Sequence, residues 1–344
     1  MKNQKGYLIE MSESISQYYN NKQILITGGL GLIGSTVANK LVEIGAKVTI
    51  LDNLDPLYGG NLFNIKDVKE EIELHIDDIR NEELLSTLIR QSQILFNFAA
   101  QISYVDSNLD PLNDLDLNCR SQLIILETCR KINPDIKVLF SGSRMEYGKI
   151  DSIPVNEENP LKPLSIYGAH KLVGEIYHNI YYNLYGIETV AFRIANPYGP
   201  RNQMKHSKYG IVNYFIKLAL QDAEIKIFGE GNQTRDYIFV DDLVNAFIIA
   251  PTSELSAGEV FNIGSGVGTT LIDMANCVCN AVGQGRIKQI PWPENYERIE
   301  TGNYVSDIDK ARKYFSWEPV VSLENGVNKT VQYYQKYRKN YFND

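Results

Sequence analysis

The chain has 344 residues, 44% hydrophobic and 22% charged, which fits a globular protein and excludes collagen, coiled coil and disorder. Lys+Arg 34 against Asp+Glu 42 gives a formal charge of −8, so a general basic footprint for nucleic acid is missing. No run reaches the roughly 18 apolar residues of a membrane span, and the first 20 residues lack a signal-peptide core, so a cytoplasmic protein away from membranes is expected.

Residues 1–21 are polar and rich in Tyr, Asn and Ser, and read as a loosely attached extension. Gln23–Thr27 is a short apolar strand, followed by glycines and a helical pattern through Ile44. Further strands are expected at Lys47–Leu51, Ile72–Ile76, Ile94–Ala99 and Lys137–Ser141, with helices at about 81–90 and 113–132 between the later ones. Continuous rather than alternating apolar strands, separated by helices, predict a parallel sheet buried on both faces. That is a doubly wound α/β domain. The second half mixes helical patterns near 168–185, 209–221, 241–250, 269–282 and 322–338 with short strands near 187–194, 225–228, 236–240 and 259–263. No flexible linker separates the halves, so a smaller lobe built directly on the first domain is expected. Cys119, Cys129, Cys277 and Cys279 form no CxxC pair, and with four histidines no metal set is expected; small buried thiols are the reading.

Gly28, Gly31 and Gly34 lie between the first strand and the first helix. Glycines there permit a tight turn, close approach of backbone to a pyrophosphate, and close helix–strand packing. Asp52 ends the second strand, 18 residues after Gly34, where an acid accepts hydrogen bonds from ribose hydroxyls. No Arg or Lys lies between residues 48 and 65 to hold a 2′-phosphate, so NAD is favoured over NADP. Asp78-Ile79 follows the third strand and is placed to meet an adenine, although Asp77-Asp78 could equally cap the next helix.

Tyr167 and Lys171 form a Tyr-x-x-x-Lys pair, and so do Tyr18 and Lys22. With 22 tyrosines and as many lysines, about 1.4 such pairs arise by chance, so position must choose. Tyr18 precedes the first strand, whereas Tyr167 opens a helix after five strands. A spacing of four puts Lys171 on the same helical face, where a cation favours phenolate. Ser141 and Ser143 both end the fifth strand on one side, and geometry alone leaves both open.

Together, the glycine loop, Asn97-Phe-Ala-Ala-Gln101, Ser143 with Tyr147-Gly148, Tyr167 and Lys171, Asn196-Pro-Tyr-Gly-Pro200 and Arg235 through Asp242 resemble the extended short-chain dehydrogenase/reductases. More narrowly the chain resembles their nucleotide-sugar epimerase/dehydratase group, over about residues 22–335. The resemblance implies an α/β fold: a Rossmann-like NAD domain at 22–195, returning at about 236–262, and a smaller mixed lobe for a nucleoside-diphosphate sugar at 196–235 and 263–344. It selects Ser143 over Ser141 and assigns catalysis to Ser143, Tyr167 and Lys171. To NAD it assigns Gly28, Gly31, Leu32, Ile33, Gly34, Asp52, Asn53, Asp78, Ile79, Ala99, Ala100 and Gln101, with Tyr167 and Lys171. It places Asn196, Arg235 and Arg298 at the diphosphate and Tyr304 at a gate near the sugar ring. Arg201 opens a cationic run with Lys205, His206 and Lys208 that is a further candidate for the substrate.

The family's 4,6-dehydratases carry Asp-Glu directly after the Ser/Thr, where this chain has Arg144-Met145. Dehydration is therefore ranked below epimerisation at C4 of a nucleoside-diphosphate hexose through a 4-keto intermediate. A C4 dehydrogenase or 4-keto reductase is the alternative, and Glu146 stands where such reductases have Glu. A non-catalytic NAD-binding protein ranks last, since Ser, Tyr and Lys are all present. The helices at about 113–132 and 168–185 are apolar on two faces, and the resemblance implies a homodimer through them.

Overall fold

The computed structural model describes residues 13–55, 57–293 and 299–342. A helix over residues 13–19 (α1) precedes β1 (Gln23–Thr27), α2 (Leu32–Glu43), β2 (Lys47–Asp52), β3 (Ile72–Ile76), α3 (Glu82–Gln91) and β4 (Ile94–Asn97). Next come α4 (Tyr104–Leu109), α5 (Pro111–Leu115), α6 (Ser121–Ile132), β5 (Lys137–Ser143), α7 (Ile166–Tyr185), β6 (Thr189–Ile194) and β7 (Asn196–Tyr198). The remainder is α8 (Ile211–Leu220), β8 (Glu224–Phe228), β9 (Thr234–Phe239), α9 (Val240–Ile249), β10 (Val260–Ile263), β11 (Gly268–Thr270), α10 (Leu271–Val282), β12 (Arg286–Ile290), α11 (Asp309–Phe315) and α12 (Leu323–Lys336).

Seven parallel strands form the main sheet in the order β10-β6-β5-β4-β1-β2-β3. Alternate residues of one strand feed opposite cores. Ile24 and Ile26 join the face covered by α2 and α9, and Leu25 joins the face covered by α3 and α6. Both faces are covered, which is why these strands are apolar throughout. The strand order reverses between β1 and β4, and the crevice at their carboxyl ends is where such sheets bind ligands.

The smaller lobe carries the three-stranded sheet β11-β9-β7 and the parallel pair β12-β8. Its core of Phe215, Met274, Val331 and Tyr334 is separate from those of the main sheet. The polypeptide returns to the main domain through α9, which packs on α2, and through β10, which pairs with β6.

Two expectations need correction. The extension is not loosely attached over its described part. Tyr19 is fully buried and donates to Ile248 O at 2.8 Å, and Tyr18 donates to Pro251 O at 2.9 Å. The helix expected over 113–132 is present but starts earlier and carries a π turn. Pro111 starts α5 behind the Asp110 cap, and Asp116–Arg120 widen into a π turn before α6. Asn118 in that turn donates to Gln101 O (2.8 Å) and Asp114 Oδ2 (3.0 Å), tying the helix to the loop after β4.

Candidate active site

The turn between β1 and α2 is as tight as its glycines allow. Gly28 has φ +66°, and a Cβ there would meet Ala99 N at 2.7 Å; one on Gly34 would meet Gly28 O at 2.3 Å. A Cβ on Gly31 would meet only Gly28 O, at 3.6 Å, so space lies open over the start of α2 and its unpaired N–H groups. Asp52 accepts from Leu30 N (2.9 Å) and Leu54 N (2.8 Å). Burial raises its pKa, and these two amides counter the rise. Gly28, Gly31, Asp52, Asn53, Asp78, Ile79, Ala99 and Ala100 line one groove, together with Asp55, Tyr58, Gly60 and Leu117.

Other candidates lie off that groove. Leu32 and Ile33 are half-buried against the core at the start of α2. The Gln101 side chain hooks its own backbone, accepting from Ser103 N (2.6 Å) and donating to Ser103 O (2.8 Å). Asp78 does line the groove, but Arg80 holds its carboxylate by two bonds of 2.8 Å and lowers its pKa.

At the carboxyl end of β5 the two serines part. Ser141 Oγ donates to Asn97 O (3.2 Å), inside the sheet. Ser143 reaches the neighbouring cavity alongside Tyr167. Tyr167 is held at the start of α7, where Ser165 caps the helix and Tyr167 N donates to Ser107 Oγ (3.0 Å). Burial raises the Tyr167 pKa, while a hydrogen bond from Ser143 and the Arg144 charge pull it down. Lys171 donates to Ser141 O at 2.8 Å, and burial lowers its own pKa to about 8. The second Tyr-x-x-x-Lys pair is spent elsewhere: Lys22 lies 4.6 Å over the Tyr18 ring, in the α1 region.

The cavity in front of Ser143 and Tyr167 has a volume of about 620 Å³ and runs to the smaller lobe, where Phe228 and Trp292 form an aromatic pair 5.5 Å apart. Asn196 and Arg235 line it. Arg235 is paired with Glu300 and also donates to Thr234 O at 3.0 Å. Asn196 is committed at both ends of its amide: Oδ1 accepts from Arg144 Nε (3.2 Å), and Nδ2 donates to Asp236 O (2.9 Å).

Tyr304 and Arg201 are not on this wall. Tyr304 is fully buried, and the Arg144 guanidinium lies 5.6 Å from its ring, between it and the cavity. Arg201 turns to Asn64 O (3.2 Å). Arg298 lies outside the described residues. Of the cationic run, Lys208 pairs with Asp106 at 2.7 Å, while His206 Nε2 lies 3.0 Å from Leu57 O, to which Tyr209 Oη donates at 2.5 Å.

Residues 24–264 match the model of the NAD dependent epimerase/dehydratase family, seven-tenths of the chain. The chain belongs to that family. NAD is its cofactor, and the groove with open space above Gly31 fits one. The chain is 34% identical over 314 residues to the UDP-glucose 4-epimerase of Mycolicibacterium smegmatis, covering 90% of this chain and 98% of that one. Among solved structures, an epimerase of Methanothermobacter thermautotrophicus superposes with a TM-score of 0.89 at 28% identity, covering 96% of each chain. The UDP-glucose 4-epimerase of Thermotoga maritima, bound to UDP-glucose, superposes with a TM-score of 0.83 at 32% identity, over 92% of this chain and 99% of that one. This family member is thus an enzyme of the nucleotide-sugar group.

Sequence reasoning noted Arg144 only as a departure from the dehydratases. The structure puts it on the cavity wall. It also turns Glu146 away from the cavity. Glu146 Oε1 accepts from Ser143 N (2.6 Å), and its other oxygen lies 3.5 Å from Arg193 Nε, the arginine that holds Glu175 by two bonds of 2.8 and 2.7 Å. Burial and the Glu175 charge raise the Glu146 pKa well above the ordinary range, which favours its protonated form. Nothing in the sequence pattern joins residues 146, 175 and 193; only the packing of α7 on β5 and β6 does.

Proposed function

We propose that this protein inverts C4 of a nucleoside-diphosphate hexose and retains its NAD between turnovers. The observation that carries the reading is the wall facing the cavity. Ser143 and Tyr167 stand on it, and the residues after Ser143 are Arg144 and Met145, with Glu146 turned inward. No carboxylate directly follows Ser143 to take a proton from C5, so elimination of water lacks its base. When bound, NAD supplies the hydride acceptor and donor. Tyr167 Oη takes the proton of the C4 hydroxyl and later returns it, and Ser143 holds the same oxygen. Lys171 anchors Ser141 O beneath them and would hold the nicotinamide ribose. Asp52 and Asn53 would meet the adenosine ribose, with Asp78, Ile79, Ala99 and Ala100 walling the groove. Arg235 would take the diphosphate side of the substrate, with Asn196 beside it once its amide is released from Arg144 and Asp236.

The test is proton NMR of UDP-, dTDP-, GDP- and CDP-sugars incubated with the purified protein. Inverted sugar with flat nicotinamide absorbance and no added cofactor is expected. A product formed only with stoichiometric NAD or NADH would replace this reading by a C4 dehydrogenase or 4-keto reductase.

A homodimer is part of the proposal. On α7, Ile176, Ile180 and Leu184 repeat every four residues and are exposed, as are Leu112 and Leu115 on α5. The opposite α7 face, with Tyr177 and Tyr181, packs into the core beside α6. A helix with two apolar faces buries both. Light scattering at micromolar concentration should give twice the chain mass; a monomer there argues against it.

A further inference from the structure

The cations on the cavity wall are unevenly answered. Arg235 is paired with Glu300, and Lys208 with Asp106. Arg144 has no such partner. Its Nε and one terminal nitrogen donate to Asn196 Oδ1 (3.2 Å) and Thr301 Oγ1 (3.0 Å), both neutral acceptors. Among the described residues no carboxylate lies within 4 Å of it. Burial lowers its pKa to about 10, and the Arg235 charge adds to that, countered only in part by the charge of Glu300, which is itself paired with Arg235. Yet part of the side chain stays accessible on the cavity wall.

A guanidinium inside a protein without an anion is costly, and hydroxyl acceptors do not neutralise it. The carboxylate next to it in sequence, Glu146, is turned to Ser143 N and Glu175 instead. Met145 adds no charge. Position says which part of a ligand would meet Arg144. Its backbone follows Ser143 directly, about 3.8 Å on, while its guanidinium reaches Asn196 and Thr301, so it stands between the reacting end of the cavity and the side given to the diphosphate. The aromatic pair Phe228–Trp292 marks the other end. The group whose shape matches the fork of an arginine is a planar carboxylate.

We propose that Arg144 receives a carboxylate carried by the sugar, so that the substrate is a nucleoside-diphosphate uronate or a comparable acidic sugar. This rests on the nucleotide-sugar reading above. Arg144 is then the residue that sets specificity, held in aim by Asn196 and Thr301.

Calorimetric titration of the NAD-loaded protein with UDP, UDP-glucose and UDP-glucuronate tests it. The wild type should bind UDP-glucuronate about tenfold or more tightly than UDP-glucose. Arg144→Gln should erase that difference and shift UDP itself by less than about threefold. Arg144→Lys keeps the charge without the fork and should retain part of the preference. Equal wild-type affinity for acidic and neutral sugar overturns the assignment. So does an equal loss of UDP and UDP-glucuronate on Arg144→Gln, which would give the guanidinium to the diphosphate. Failure of all three ligands to bind the wild type overturns the nucleotide-sugar reading and this assignment with it. Should Arg144→Gln not fold, the wild-type ratio and Arg144→Lys decide.

Discussion

Replacing Glu146 and Glu175 separately should give very different results, although both are buried carboxyls on one arginine. Arg193 is 4% exposed and makes two charged bonds to Glu175, plus bonds to Tyr147 Oη (2.9 Å) and Glu157 O (3.0 Å). Glu146 lies farther off, 3.5 Å from Arg193 Nε, and burial beside the Glu175 charge favours its neutral form. Glu146→Gln exchanges one neutral group for another. Its amide oxygen can still accept from Ser143 N, and its NH2 can donate to Glu175. The cost should stay within about 1 kcal/mol, the scale of one neutral hydrogen bond. Glu175→Gln removes the counter-charge of a buried cation and should cost about 3–5 kcal/mol, softened if Glu146 ionises in its place. The double variant blocks that rescue, so its cost should exceed the sum of the singles by about 1 kcal/mol or more. Urea unfolding of the NAD-loaded proteins followed by circular dichroism measures all three. The pH dependence adds a check. The Glu146 pKa is raised in the fold above its unfolded 4.5, so its contribution to stability falls as pH rises above 4.5. Glu146→Gln should remove that slope. If Glu146→Gln instead costs as much as Glu175→Gln, the proton is not where the geometry puts it.

Tyr167→Phe should abolish turnover while the purified protein still carries NAD; retained turnover would remove Tyr167 from the chemistry. Gly34→Ala drives a Cβ to within 2.3 Å of Gly28 O and 2.8 Å of Gly29 Cα. It should cost about 1–3 kcal/mol and strip NAD during purification, and a full complement of NAD would contradict the tight-turn argument. His178 is 1% exposed, and burial lowers its pKa from 6.5 to about 4. The unfolded chain therefore binds a proton that the fold refuses. Stability present above pH 6.5 is lost as pH falls toward 4, by about 3 kcal/mol. Thermal midpoints between pH 4 and 7 should show that slope in the wild type and not in His178→Leu.

The main sheet was legible because its strands are buried on both faces and announce themselves as apolar runs, as in Ile94–Asn97. β7, β11 and β12 were not: the first two have three residues each, and β12 alternates exposed and half-buried positions. Tyr167 and the glycine turn could be located from where a strand ends and a helix begins, whereas Ser143 was separated from Ser141 only by the family resemblance. The amides of Gln101 and Asn196 could not be placed, because which way an amide turns depends on local loop geometry in the first case and on partners distant in sequence in the second. Gln101 spends its amide on Ser103, and Asn196 spends its own on Arg144 and Asp236. Tyr304 was assigned to a gate, but Arg144 occupies the space in front of it.

The carbonyl of Leu57 has a consequence for how the two ligands affect each other. It is gripped by His206 and Tyr209, from a segment whose residues 207–210 wall the substrate cavity. Its own neighbours Tyr58 and Gly60 wall the cofactor groove. The two sites therefore share a partition. Any free energy by which one ligand tightens this partition must raise the affinity of the other by the same factor. A nucleotide sugar that tightens the binding of NAD is, to the same degree, one that NAD helps to bind.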